Sequence, residues 1–143
     1  MNLSVYTIQT SQPNVSGAPV QLTAGQHAAA NVQIANSGQL PGQFQLTADL
    51  VQSNGLVGGH MVQAGGSSTT ITGTVPAGQS VLVGLVSAGP IADQSQVGPY
   101  LDLRLTLTDT STGETATVDI PKAFLPPLEP SVLTITSVSL GAA

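Results

Sequence analysis

The chain has 143 residues, enough for one domain around a single core, and only 6% of them are charged, against about 25% in an ordinary domain. Arg104 and Lys122 are its only cations and the net charge is −5. That excludes nucleic-acid binding by clustered Lys and Arg and a basic membrane-surface helix. With 41% hydrophobic residues there is material for a core, which argues against disorder, and the absence of cysteine rules out disulfides and thiolate metal sites.

The opening segment "MNLSVYTIQTSQPNVSG" lacks a basic n-region and a continuous apolar h-region, so no signal peptide is expected there. A strand is expected near 3–9. The glycosylation sequons at Asn2 and Asn14 read as chance in the absence of a leader. No run approaches the apolar length of a membrane span.

Period two then dominates. Strands are expected near 18–23 and 29–35, and in 44–50 ("FQLTADL") Phe44, Leu46, Ala48 and Leu50 share one face while Gln45, Thr47 and Asp49 share the other. The Gly-rich segment 54–68 ("NGLVGGHMVQAGGSS") reads as a mobile or partner-touching excursion. Strands near 69–75 and 80–87 follow; "VLVGLV" (81–86) is apolar on both faces, as in a central strand of a two-layer core. In "PYLDLRLTLTDTSTGETATVDI" (99–120), Leu101, Leu103, Leu105 and Leu107 face the core and Tyr100, Asp102, Arg104, Thr106 and Thr108 face away. "DTSTGE" turns the chain, with Gly113 free to take a positive φ, and "TATVDI" returns as the second arm of a hairpin.

The four prolines of "PKAFLPPLEP" (121–130) favour an extended, polyproline-like connector. It leads to a second alternating strand, "SVLTITSVSL" (131–140), with Val132, Val138 and Leu140 on one face and Leu133 and Ile135 on the other. Apolar residues on both faces require cover on two sides, either within the chain's own sandwich or between subunits. No window shows a capped helix with an apolar stripe. The fold class is therefore all-β: an immunoglobulin-like antiparallel β-sandwich over 1–120, with an extended N-terminal segment, and a proline-rich connector with a C-terminal strand or arm over 121–143.

Two stretches carry a resemblance. "ANVQIANSGQLPGQFQLTADL" (30–50) is a strand, an Asn-x-Gly corner and a strand with an aromatic; "VPAGQSVLVGLV" (75–86) is a Pro-x-Gly turn before an apolar strand. With "LRLTLTD" they resemble immunoglobulin-like surface modules of the CARDB-like (cell-adhesion-related) type over roughly residues 20–120. The resemblance implies a binding or structural role and brings no catalytic residue. Similar sandwiches recur in phage decoration and tail proteins. The chain departs from the surface modules in its missing leader and its proline-linked C-terminal strand.

Candidate chemistry is thin. His27 and His60 have no second metal ligand at useful spacing. No G-x-S-x-G turn supports a Ser–His–Asp constellation. Asp109 and Glu114 flank one turn, but "DTSTGE" lacks the dense acids of a calcium loop, and there is neither a phosphate-binding nor a dinucleotide motif. Arg104 is expected to bridge Asp102 or a cross-strand acid, an exposed contact that adds little to stability. No catalytic, cofactor-binding or metal-binding residue is therefore expected, and no cofactor. The expectation is a non-enzymatic structural protein of a virion, a capsid decoration or accessory protein at the virion surface. Its partners would be copies of itself, a major capsid protein or a tail protein. The alternative is a subunit or adhesion module of an extracellular filament or cell surface. A host-surface glycan is a further partner class, one that the scarcity of aromatic platforms disfavours.

Overall fold

The computed structural model describes residues 13–143, so the strand expected near 3–9 lies outside the described residues. In chain order it contains β1 (Val20–Gln21), β2 (Ala29–Ala35), β3 (Gly42–Gln52), β4 (Val57–Gln63), β5 (Ile71–Val75) and β6 (Ser80–Ser87). A helical turn, α1 (Gln94–Val97), precedes β7 (Leu101–Asp109) and β8 (Thr115–Leu125). No helix among the described residues is long and apolar enough to cross a membrane.

The strands form two layers. β3 pairs antiparallel with β7 along nine residue pairs, and β7 pairs with β8. On its other side β3 carries β5 against Gly42–Leu46 and the start of β4 against Asp49–Val51. The end of β4, Met61–Gln63, pairs instead with β6, and β6 pairs with β2. One layer thus reads β3-β7-β8 and the other β2-β6-β4. These are the C-F-G and B-E-D orders of an immunoglobulin sandwich. β1 adds a two-residue parallel pairing beyond β8.

The alternation read in the sequence is the alternation that packs. Phe44, Leu46, Ala48 and Leu50 of β3 are buried, as are Leu101, Leu103 and Leu105 of β7, while Leu107 is partly buried at the edge of the same core. Val83 and Leu85 of β6 and Ile34 of β2 meet them from the opposite layer. Each large side chain so buried contributes about 1.5–3 kcal/mol. The hairpin closes as expected: Gly113 has φ +80°, its N–H donates to the Asp109 carbonyl at 2.7 Å, and the Asp109 side chain accepts from Ser111 N–H.

The two corners that carried the resemblance are fastened to each other by one side chain. Asn36 Oδ1 accepts from Gly38 N–H at 2.9 Å, while Asn36 Nδ2 donates to the Leu40 and Val75 carbonyls. Its backbone N–H donates to the carbonyl of Gln79, the last residue of the Pro76–Gln79 turn.

Several expectations are corrected. Residues 57–63, read as a glycine-rich excursion, are β4. An extra residue lies between the pairs Leu50–Gly59 and Val51–Val57, and the strand then passes from one layer to the other. Met61 and Val62 are consecutive and both buried, so period two fails at that crossing. Only one side of "VLVGLV" is covered, and Leu82 is 69% exposed.

The stretch 121–125, read as polyproline connector, belongs to β8. Ala123 and Phe124 are buried, and Phe124 pairs with both Leu101 and Val20. Pro121 is tolerated because the ladder opens there: three residues, 121–123, oppose Asp102 alone, a bulge that removes the need for a proline N–H. Lys122 takes φ +49°, and its N–H donates to Asp102 Oδ1 at 2.8 Å. Finally, 131–140 has no strand partner within the described chain.

Candidate functional site

Two surfaces stand out among the described residues, and they differ in chemistry. The first is a row of ionisable side chains across the outer face of the β3-β7-β8 layer. Strand register places His60 beside Asp49, Asp49 beside Arg104, and Arg104 beside Asp119. His60 Nδ1 lies 2.6 Å from Asp49 Oδ1, and Arg104 Nε donates to Asp119 Oδ1 at 2.9 Å. The hydrogen bond that Arg104 donates to Asp119, then the charge of that carboxylate, raises the Arg104 pKa above its ordinary value, and the guanidinium stays protonated. Lys122 Nζ stands 5.3 Å from the centre of the Tyr100 ring, within cation–π range. Arg104 and Lys122, the two basic residues of the chain, are thus both engaged.

The expected cross-strand acid for Arg104 is Asp119; Asp102 is occupied with the bulge. His60, whose flanks in sequence offer no second ligand, is brought to Asp49 by the pairing of β4 with β3. A His–carboxylate pair is two members of a hydrolytic triad, but His60 makes no side-chain hydrogen bond to a hydroxyl among the described residues. His27 sits apart, its Nδ1 2.9 Å from the Ser87 carbonyl. Asp109 and Glu114 share the hairpin turn through the Asp109 N–H and the Glu114 carbonyl, while the Asp109 carboxylate is used by Ser111. Among the described residues no three His, Asp or Glu side chains gather as a metal site.

The second surface has an apolar floor and no ionisable side chain among the described residues that line it. Between β2 and β8 the sandwich has an open mouth, a groove of about 540 Å³ whose floor includes Val32, Leu103, Leu105, Ile120 and Phe124. Residues Pro13–Ala18 line one side of it, and no charged residue is among the described residues of the lining. β2 ends the strand order on this side. Its inward residues are bonded to β6: Ser87 N–H donates to the Ala28 carbonyl and Asn36 N–H to the Gln79 carbonyl, at either end of the ladder. Antiparallel pairing alternates, so the N–H and C=O groups of Ala29, Asn31, Gln33 and Ala35 point to the outer edge.

The C-terminal arm begins from a fixed point. Gln94 N–H donates to the Pro127 carbonyl, Gln94 Nε2 and Gln21 Nε2 both donate to the Pro126 carbonyl, and Pro126 is fully buried. Beyond it the chain leaves the body. Leu133 is 92% exposed, Ile135 84% and Leu140 93%, with Val132 and Val138 also largely in solvent.

No protein-family model matches the sequence and no curated protein matches it. Among solved structures, the FixG-related protein from Vibrio parahaemolyticus is similar over 66% of this chain and 75% of its own, at 16% identity and a TM-score of 0.45. The human CEP192 ASH/PapD-like domain (PapD-like domain 7) is similar over 77% of this chain and 79% of its own, at 8% identity and a TM-score of 0.41.

Proposed function

We propose that the protein is a non-enzymatic structural subunit that works by assembling into a larger particle. Its most concrete form is a capsid decoration or accessory protein at a virion surface, held to copies of itself or to a capsid or tail protein. The observation that carries this reading is the C-terminal arm: five large aliphatic side chains stand in solvent within the ten residues 131–140. Contiguous exposed apolar surface of this kind marks a docking element. The scarcity of charge supports the same reading, because a surface of Thr, Ser, Gln and Asn packs against neighbours without stripping ions of water. The CARDB-like character of the sandwich belongs to this proposal, and its support is the Asn36-fastened pair of corners.

Mass spectrometry of purified particles tests the reading. The chain should copurify in stoichiometric amount with a major capsid or tail protein. Copurification with a filament would instead place it in an extracellular fibre, and recovery only as a free protein, absent from any particle, would end the structural reading.

A further inference from the structure

We infer that residues 131–140 are a donor strand, and that the acceptor is the outer edge of β2 in a second copy of this chain. This inference deepens the assembly reading above by naming the partner and the contact.

The donor and acceptor match in length, polarity and bonding. Ten extended residues span about 33 Å at ~3.3 Å each, and the seven of β2 about 23 Å, so the arm covers the whole edge. Strand addition would engage the outward backbone groups of Ala29, Asn31, Gln33 and Ala35 and place alternate arm side chains over the groove. Neither "SVLTITSVSL" nor the groove lining contains a charged residue, so nothing need be desolvated as an ion. The other open edge beside the groove is less suitable, because the first half of β8 carries Asp119 and begins beside Glu114. In a B-E-D layer the position beyond B is where strand A lies, and no described strand occupies it here.

A second copy is favoured over the chain's own groove by the way the arm departs. Pro126 and Pro127 are buried and bonded to Gln94 and Gln21, and Pro130 follows after only Leu128 and Glu129. Prolines stiffen a connector into an extended path. The exposure of Val132, Leu133, Ile135, Val138 and Leu140 leaves neither face of the arm packed on its own body.

The test uses complementary defects. A chain ending at Glu129 keeps its Pro126–Pro127 anchor and lacks the donor. Gln33→Pro removes an outward N–H from β2 without breaking a bond to β6, since proline is tolerated on the solvent side of an edge strand. Light scattering after size exclusion should find the full chain as a dimer or higher oligomer and each variant alone as a monomer. Mixed, the two variants should form a one-to-one complex, because each supplies what the other lacks. The chain has no cysteine, so pairing Gln33→Cys with Thr134→Cys, Ile135→Cys or Thr136→Cys gives a clean second reading. Crosslinks between light and isotope-labelled chains support exchange even if Gln33→Pro proves unfolded.

A full chain that stays monomeric at several hundred micromolar overturns the inference, as do crosslinks confined to single chains or a Glu129-terminated chain that does not fold. If only a chain lacking residues 1–12 associates, the groove belongs to the N-terminal segment and the inference is likewise overturned. None of these results touches the particle copurification on which the broader reading rests, so the two can fail separately.

Discussion

"LDLRLTLT" in β7 and "SVLTITSVSL" in the arm are written in the same local language of alternating aliphatic and small polar residues. One is the centre of a packed layer and the other stands in solvent. The difference is the supply of neighbours. β7 has β3 on one side and β8 on the other, each set in register by a long ladder. The arm follows Pro126, Pro127 and Pro130 and pairs with no strand among the described residues. Alternation therefore specifies what a segment can bury, and chain connectivity decides whether its own fold buries it.

The contrast can be broken most severely at the point where body becomes arm. A chain ending at Ile120 loses Ala123, Phe124 and the buried Pro126. Loss of the Phe124 side chain alone costs about 3–5 kcal/mol, from a total stability of about 5–15 kcal/mol. Circular dichroism should show this chain largely unfolded; a cooperative melt near that of the full chain would remove residues 121–125 from the body.

Leu103→Ala should cost about 2–5 kcal/mol in urea denaturation, as for other buried leucines, and a variant as stable as the parent would show the β7 face to be wrongly assigned. Asp102→Ala should cost less, about 0.5–1.5 kcal/mol, through loss of the bond to Lys122 N–H. Asp102→Asn, which still offers an acceptor, should recover most of it. The smallest effect is expected for Ile135→Ala measured in dilute monomer, within about 0.5 kcal/mol of the parent as for other exposed sites. A loss as large as that of Leu103→Ala would mean that the arm is packed on its own body.

These contrasts also show where the sequence could be read and where it could not. β2, β6 and β7 are legible because each turns one face to the core, and β3 because it does so up to its end, where Leu50 and Val51 are both buried. β4 is not, because a strand that passes between layers buries consecutive residues, Met61 and Val62, and two adjacent glycines disguise it. The stretch 121–125, the head of the proline-rich 121–130, reads as connector because the bulge that accommodates Pro121 depends on the Asp102 side chain, twenty residues before the Lys122 N–H that it accepts from. The charged row divides in the same way. A hairpin closed at Thr108–Thr115 puts Arg104 opposite Asp119 by counting alone, whereas His60 meets Asp49 only once β4 is known to be a strand. The groove beside β2 left no mark in the sequence, since it is the space between two edges and belongs to no single segment.

The anchorage of Pro126 and Pro127 also sets how the molecule would carry tension. A pull on the arm directed along β8 enters the body at Leu125. There the strand is flanked by β1 and β7 and held at its exit by Gln21 and Gln94. Because ladder hydrogen bonds lie across the strand axis, such a load shears many of them together instead of peeling them one after another. The same two glutamines keep the terminal residues of β8 from fraying first. Subunits joined through their arms would then form links whose weakest point lies at the intersubunit strand, with the sandwich itself left intact under strain.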